Sequence, residues 1–242
     1  YASGDVVPDP SVPITDIEAK IHSFVPAYSR TFALFGQTAS IAGLIPLVHG
    51  NVEGMVGEDA REVTREGFGD MRLRLSMSFL GGRALSIEEF EKSKPNTVLG
   101  GSLSVIVPTG EYTSERLINL GSNRWAIKPE VGASHHFGDW FIDGSAGEWV
   151  FADNPKFFGD VRREQDPILT FQAHGGYTFR PGLWVAGDAT YYTGGETTVG
   201  GLPKDDLQSN SRYGLTLAVP LTQSISLKLA FSKGLATRIG GD

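Results

Sequence analysis

Charged, amide and imidazole side chains recur at alternate positions in segments that are otherwise apolar or small. Alternate residues of a β-strand point to the same side of a sheet, so these side chains would line one face together. The candidates for this polar face are Lys20, His22, Arg30, Arg72, Arg74, Lys128, Glu130, Asp143, Gln172, His174, Asp188, Arg212 and Lys228. Basic residues outnumber acidic ones. The set therefore predicts a charged constriction that discriminates between solutes, or an ion-pair network that stiffens a wall, and the two interpretations are compatible.

Residues that could support catalysis are sparse. His174 and Asp188 would suit the oriented pair of a hydrolase, but no serine is evidently placed beside them. His135 and His136 are neighbours in a predicted strand, so they point to opposite faces and cannot chelate one ion. The sequence has no cysteine, no phosphate-binding loop and no Gly-x-Ser-x-Gly motif. We therefore predict no catalytic residue, no metal site and no cofactor.

Composition excludes two further classes of protein. The net charge is −7 and no cluster of Lys and Arg stands out, which argues against nucleic-acid binding. A membrane-spanning helix needs about 20 consecutive apolar residues. The longest apolar run, residues 41–48, is interrupted by Gly43 and Pro46.

Alternation with a period of two residues covers most of the chain. In residues 224–232, for example, Ile225, Leu227, Leu229 and Phe231 alternate with serine, lysine and alanine. This pattern predicts ten strands, at residues 16–34, 38–50, 67–80, 97–108, 124–137, 139–153, 165–180, 183–194, 207–220 and 224–238. Long polar loops are predicted at about 51–66, 109–123, 154–164 and 195–206. The spacing of Ser86 and Glu89 predicts a capping box and a short helix over 86–92.

The lengths of two turns predict which residues face each other across strands. A two-residue turn at Gly138 and a three-residue turn around Pro181 fix the registers of their hairpins. The predicted pairs are Ser134 with Asp143, Lys128 with Trp149, His174 with Asp188, and Gln172 with Thr190. Directly opposed residues share a face, and polar residues meet polar residues in most of these pairs.

Two kinds of barrel would satisfy this alternation, a soluble barrel with an apolar interior and a membrane barrel with an apolar exterior. The predicted strands are longer than soluble strands usually are. Short turns at one rim and long loops at the other are typical of outer-membrane barrels. Aromatic residues suited to an interfacial girdle are Trp125, Phe137, Trp140, Tyr177, Phe179 and Tyr213. We therefore expect the polar face to line the lumen. Glu148 falls on the apolar face, so it must lie near an interface, or a bulge must shift the parity.

Several short segments, in this order and spacing, resemble a known family. They are residues 108–112 (PTGEY), 116–119 (RLIN), 123–125 (NRW), 128–130 (KPE), 164–167 (EQDP), 179–184 (FRPGLW), 189–195 (ATYYTGG) and 210–212 (NSR). Together they resemble the outer-membrane family associated with the meta-pathway of phenol degradation, over about residues 11–240. The resemblance implies a 12-stranded channel for small hydrophobic or aromatic compounds.

These observations give one expectation. The fold is an all-β, transmembrane, antiparallel up-and-down β-barrel, forming a single domain over residues 1–242, with the first and last strands of a 12-stranded barrel missing. The function is passive uptake of small, hydrophobic or aromatic molecules through the bacterial outer membrane, by a monomer that is not an enzyme. Its partners are outer-membrane lipid and a solute in the lumen. The alternatives are an outer-membrane hydrolase and a structural or adhesive barrel.

Overall fold

The described part of the chain is built mainly of antiparallel strands. The computed structural model describes residues 6–7, 15–56, 58–86, 89, 97–222 and 225–241. In chain order the strands are β1 (Val6–Val7), β2 (Thr15–Phe24), β3 (Ala27–Leu34), β4 (Gln37–Leu44), β5 (Leu47–Val56), β6 (Asp59–Phe68), β7 (Met71–Leu80), β8 (Thr97–Val107), β9 (Ala126–Phe137), β10 (Trp140–Phe151), β11 (Asn154–Phe157), β12 (Val161–Gln165), β13 (Ile168–Arg180), β14 (Leu183–Gly194), β15 (Thr197–Val199), β16 (Leu202–Pro203), β17 (Gln208–Pro220), β18 (Ser226–Ala236) and β19 (Gly240–Gly241). A 3₁₀ turn, Phe158–Asp160, lies between β11 and β12.

Ten of these strands form one continuous sheet in the order β3-β4-β7-β8-β9-β10-β13-β14-β17-β18. Each inner strand of this sheet pairs antiparallel with the spanning strand before it and the one after it, while β3 pairs only with β4 and β18 only with β17. The predicted up-and-down order is confirmed, and each predicted span corresponds to a strand of this sheet. Among the described residues, no helix is long and apolar enough to cross a membrane.

The predicted loop at 51–66 is wrong, because β5 and β6 continue the sheet as a long hairpin through these residues. Together with β2 they form a three-stranded extension, β2-β5-β6, beyond one end of the main sheet. The junctions between the extension and the main sheet fall at Pro26, Pro46 and Gly69. Proline has no N–H to donate to a ladder. The Pro26 and Pro46 carbonyls nevertheless accept from the amides of Ile45 and Gly69, which holds the junctions together.

The other long connections on this side differ in regularity. Residues 109–123 are irregular, as predicted. The loops predicted at 154–164 and 195–206 contain β11, β12, β15 and β16, which form a small four-stranded sheet. Asp70 anchors the irregular loop, because its carboxylate accepts from the amides of Gly110 and Ser122 and from the Ser122 hydroxyl. The loops therefore form an ordered layer at this end of the sheet.

The opposite end of the sheet carries tight turns. Phe35 and Gly36 connect β3 to β4, and both have positive φ, which is typical of the turns that suit twisted hairpins. Pro181 and Gly182 connect β13 to β14, with a register shift after Thr178. The connection after β7 carries the predicted capping box. The Ser86 amide donates to Glu89, and the Glu89 amide donates to the Ser86 hydroxyl. The rest of the predicted helix over 86–92 falls mostly on residues outside those described.

The two faces of the ten-stranded sheet differ in character. Large apolar side chains on one face are exposed, among them Ile127, Val131, Leu169, Phe171, Leu215 and Leu229. The other face carries small or polar residues, several of which are buried, including Ser104, Ala126, Thr170, Ala186 and Thr216. This distribution is the reverse of that in a soluble domain. It is the distribution expected of a sheet whose apolar face meets lipid.

The sheet is strongly curved, with the polar face inside. Strands β7 and β10 are three strand spacings apart, roughly 14 Å along the sheet. The Arg72 guanidinium nevertheless lies 5.6 Å from the centre of the Trp149 ring. A cavity of about 510 Å³ is lined by residues of seven strands, from β3 to β13. The concave face therefore encloses a lumen.

Most of the predicted aromatic girdle lies near the ends of strands. Trp140 packs edge-on against Tyr177, with ring centres 5.0 Å apart, and Tyr177 packs against Phe179. Tyr213 is an exception, because it lies near the middle of β17. Glu148 lies on the outer face three residues from the end of β10, and its pairing with Leu169 shows no bulge. The proposed bulge at Glu148 is therefore wrong, and its position near the loop end is the remaining explanation.

Candidate functional site

The lumen contains a cluster of buried charges centred on one carboxylate. Glu130 on β9 accepts from Arg74 at 2.8 Å and from the Lys128 ammonium at 2.5 Å, and the Ser102 hydroxyl donates at 3.4 Å. Lys128 and Glu130 lie two residues apart on one strand, so they share its inner face. Ser102 lies directly opposite Glu130 on β8. We call Arg72, Arg74, Lys128, Glu130 and Trp149 the Glu130 cluster.

Trp149 forms the aromatic wall of the Glu130 cluster. Its ring centre lies 5.6 Å from the Arg72 guanidinium and 5.7 Å from the Lys128 ammonium. Both distances fall within the range of cation–π attraction. Gly147 lies opposite Glu130, and a Cβ there would come within 3.0 Å of the Glu130 Cβ. The glycine thus leaves room for the glutamate to lie against the wall.

The Glu130 cluster carries three cations and one carboxylate. Glu130 and Lys128 are almost completely buried, at 9% and 8% exposure, whereas the Arg74 side chain is about half exposed. Among the described residues no carboxylate lies within 4 Å of Arg72. Burial of charge is costly unless the charge is paired. Lys128 and Glu130 meet this requirement, while Arg72 and Arg74 leave net positive charge facing the lumen.

A second polar group lies closer to the tight turns. The His174 Nδ1 lies 2.5 Å from a carboxylate oxygen of Asp188, and the Thr216 hydroxyl donates to the other oxygen at 2.8 Å. His174 and Asp188 are directly opposed on β13 and β14, as the turn length predicted. No serine among the described residues hydrogen-bonds to His174. The Asp188 carboxylate therefore links β13 to β17 through His174 on one oxygen and Thr216 on the other.

Four more of the predicted lumen residues lie on the inner face, namely Asp143, Gln172, Arg212 and Lys228. Asp143 is opposite both Ser134 and His174, and Gln172 is opposite Thr190, so these predicted registers are confirmed. Arg212 donates to the Ser232 hydroxyl at 3.2 Å. The Lys228 ammonium lies 5.6 Å from the ring centre of Trp184 near the turn end. Of these residues, Asp143, Gln172 and His174 line the same cavity as Arg74 and Glu130.

The face predicted for Lys20, His22 and Arg30 is wrong. Arg30 lies opposite Ile41, which lies opposite Leu75, and both leucine and isoleucine belong to the exposed apolar face. His22 pairs with His49 on the extension, on the same side as the exposed Phe24. The alternation of polar residues over 16–22 suggested the lumen for the whole strand. Further along the same predicted strand, the even positions hold the aromatic residues Phe24, Tyr28 and Phe32. These residues indicated that the even positions belong to the apolar face and not to the lumen.

Sequence reasoning missed a cluster in the loop layer around Arg124. Its guanidinium stacks on Phe151, 4.6 Å from the ring centre, and donates to Gln165. Burial, with the nearby Arg163 adding to the effect, lowers the pKa of Arg124 to about 10, although Asp153 acts in the opposite direction. The NRW and EQDP segments contain Arg124 and Gln165, but nothing in the sequence indicates that they meet. No group of His, Asp or Glu that could hold a metal is found in the described part of the chain.

Comparison with known proteins agrees with this geometry. The sequence model of a family described as "Putative MetA-pathway of phenol degradation" matches residues 3–238. No curated protein matches the chain. Among solved structures, the chain is similar to an outer membrane channel from Pseudomonas putida F1, with a TM-score of 0.78 and 24% sequence identity, over 93% of this chain and 80% of that one. The fold is therefore that of an outer-membrane β-barrel.

Proposed function

Because the chain belongs to the family described as "Putative MetA-pathway of phenol degradation", we propose that it is a passive channel of the bacterial outer membrane and not an enzyme. The observation that carries the proposal is the reversed distribution of polarity. Exposed leucine, isoleucine and phenylalanine side chains cover the convex face, while charged and hydroxyl-bearing side chains line a cavity of about 510 Å³ on the concave face. A lipid-facing exterior and a polar lumen are what a transmembrane barrel requires.

The cargo in this proposal is a small molecule with hydrophobic or aromatic character. Support comes from the phenol pathway named in the family description and from the similar fold of a protein described as an outer membrane channel. The indole rings of Trp149 and Trp184 in the lumen offer apolar surface beside the charged groups. The protein acts as a single barrel domain and as a monomer, with membrane lipid as its outer partner.

Conductance and hydrolysis assays test the proposal against its alternatives. Purified protein inserted in planar bilayers should give discrete conductance steps, and liposomes that contain it should swell in solutions of small permeant solutes. The same preparation should not hydrolyse nitrophenyl esters above the rate of an empty-liposome control. Ester hydrolysis that is abolished by His174→Gln would favour a hydrolase. Absence of both conductance and swelling would favour a structural or adhesive barrel.

A further inference from the structure

The charges of the Glu130 cluster do not balance within the protein. Arg74 and Lys128 share the one carboxylate of Glu130. Arg72, two residues from Arg74 on the same strand and face, contacts the Trp149 ring instead of a carboxylate. In a cavity with low-dielectric walls, unpaired charges of one sign concentrate counter-ions of the other sign. The cluster is therefore short of anionic partners.

The chemistry of the exposed cations favours a carboxylate as that partner. A guanidinium presents parallel N–H groups that match the two oxygens of a carboxylate, whereas an ammonium acts as a point charge. Arg74 is about half exposed and lines the lumen cavity. Lys128 is buried and already paired with Glu130 at 2.5 Å. A ligand in this cavity would therefore meet Arg74 and not the lysine, and the exposed Arg72 lies two residues away on the same face of β7.

The wall beside the arginines is polar but uncharged. Ser40 and Ser76 hydrogen-bond to each other at 2.7 Å, and Ser76 lies opposite Ser102 on the next strand. These hydroxyls line the cavity next to Arg74. Hydroxyls can donate to an anion without adding a competing fixed charge. The next carboxylate that lines this cavity is that of Asp143, which is paired with Ser134 and His174. Ser134 lies four residues along β9 from Glu130, the residue that is paired with Ser102.

We propose that Arg72 and Arg74 form a binding subsite for the carboxylate of a small organic acid in the lumen. The inference rests on the proposed channel function and narrows its cargo to anions in which a carboxylate is joined to a small apolar or aromatic body. The carboxylate binds the two guanidinium groups, and the body lies against the Trp149 side of the lumen. The subsite binds the acid reversibly, so passage remains passive.

Benzoate, benzyl alcohol and benzylamine make a matched set of probes, because their bodies are similar and their charges differ. In planar bilayers, benzoate should reduce the chloride current through the wild-type channel at lower concentration than the two other probes. Calorimetric titration of the detergent-solubilised protein should give the same order of binding. Arg72→Gln with Arg74→Gln should weaken benzoate binding by at least about tenfold, or ~1.4 kcal/mol, and should shift the reversal potential in a salt gradient toward cations.

Two further variants distinguish binding by paired guanidinium N–H groups from a general effect of positive charge. Arg72→Lys with Arg74→Lys retains the charge but loses the paired N–H groups, so anion selectivity should persist while benzoate binding weakens. Arg61→Gln removes an arginine from the exposed extension and should change neither readout. Circular dichroism before and after heating should confirm that each variant folds.

The outcomes distinguish this inference from the channel proposal. Equal affinity of wild type and the glutamine double variant for benzoate would overturn the subsite, even if conductance is normal. Equal affinity of the wild type for all three probes would do the same. A wild type without conductance would overturn the channel proposal, and calorimetry of benzoate would still decide whether the arginines bind a carboxylate.

Discussion

The ammonium of Lys128 lies 2.5 Å from a carboxylate oxygen of Glu130, and both residues are less than one-tenth exposed. The two residues are separated by Pro129 on one strand, so the alternation of the strand alone places them side by side. Their charges are therefore paired within the wall, and neither requires a solute. This pairing fixes the Glu130 carboxylate where it also accepts from Arg74, which orients the exposed arginine in the lumen.

Glu130→Gln should be strongly destabilising. It removes the charge that neutralises buried Lys128, and loss of one partner from a buried ion pair typically costs about 3–5 kcal/mol. Urea titration of the protein in lipid vesicles, followed by tryptophan fluorescence, measures this loss. Glu115→Gln is the matched control, because the Glu115 side chain is exposed in the loop 109–123 and should tolerate the change. Equal stability of the two variants would show that Glu130 does not neutralise Lys128.

Gly147→Ala should disturb the same cluster by steric means. A Cβ at this position would lie 2.8 Å from the Pro129 carbonyl oxygen and 3.0 Å from the Glu130 Cβ. The backbone of β9 cannot yield as a flexible side chain can, so a cost of about 1–3 kcal/mol is expected. Gly175→Ala is the control, because a Cβ there meets nothing within 4 Å. Thermal unfolding in detergent should separate the two variants, and the prediction fails if their midpoints coincide.

The orientation of the sheet can be tested with single cysteines, since these 242 residues include none. Leu229 lies on the exposed apolar face, and Lys228 lies on the inner face opposite Ala218. In reconstituted vesicles, Lys228→Cys should react with a charged, membrane-impermeant thiol reagent. Leu229→Cys should be protected from it and should react with a lipid-soluble maleimide. The opposite pattern would mean that the apolar face is turned inward.

The sequence was sufficient for the strand order and for most of the registers, because both depend on local signals. Alternation marks each strand, and turn length determines which residues are opposed, as the pairs His174–Asp188 and Ser134–Asp143 illustrate. Local alternation gave the wrong face for β2, because its polar residues over 16–22 belong to the exposed extension and not to the lumen. It also missed the hairpin of β5 and β6 over residues 51–66. This hairpin is exposed on its polar faces, so its composition is that of a loop.

The site was only partly predictable for a related reason. Parity places Arg72, Arg74, Lys128 and Glu130 on one face, and the structure brings all four together. The contact between Arg72 and Trp149 depends on the curvature of the sheet, which no strand encodes by itself. The meeting of Arg124 with Gln165 depends on how two separate loops pack. Contacts across a lumen or between loops therefore require the assembled barrel.

Arg124 should alter the stability of the protein in alkaline solution. Burial lowers its pKa to about 10 in the folded protein, whereas the unfolded chain retains the ordinary, higher value. Between these two values the unfolded state binds more protons, so stability contributed by this group rises with pH. Below about pH 10 the buried guanidinium is charged and lowers the free energy of unfolding by its full amount. Above about pH 10 it loses its proton in the folded state, and this destabilisation decreases. The wild type should therefore gain stability relative to Arg124→Gln as the pH rises from about 10 to about 11.5.

Comparison of wild type and variant at each pH cancels the titration of lysines and tyrosines that both proteins share. Arg116→Gln provides the control, since Arg116 lies on the exposed part of the loop 109–123. Its difference from the wild type should be the same at both pH values. A difference between wild type and Arg124→Gln that is also constant would contradict the prediction and would mean that the guanidinium keeps its ordinary pKa.

The carboxylate of Asp188 should couple energetically to Thr216. It accepts from the Thr216 hydroxyl at 2.8 Å on one oxygen and contacts His174 on the other. Gly214, directly opposite Asp188, leaves the space that this carboxylate occupies, because a Cβ there would lie 3.4 Å from it. A hydrogen bond to a charged group contributes about 1.5–3 kcal/mol.

The double-mutant cycle of Asp188→Asn and Thr216→Val should give a coupling energy toward the lower end of that range, because the pair faces a wet lumen. The same cycle with Thr170→Val, whose hydroxyl donates to the Gly147 carbonyl instead, should give none. Additive effects of Asp188→Asn and Thr216→Val would mean that the hydrogen bond between β14 and β17 does not stabilise the wall.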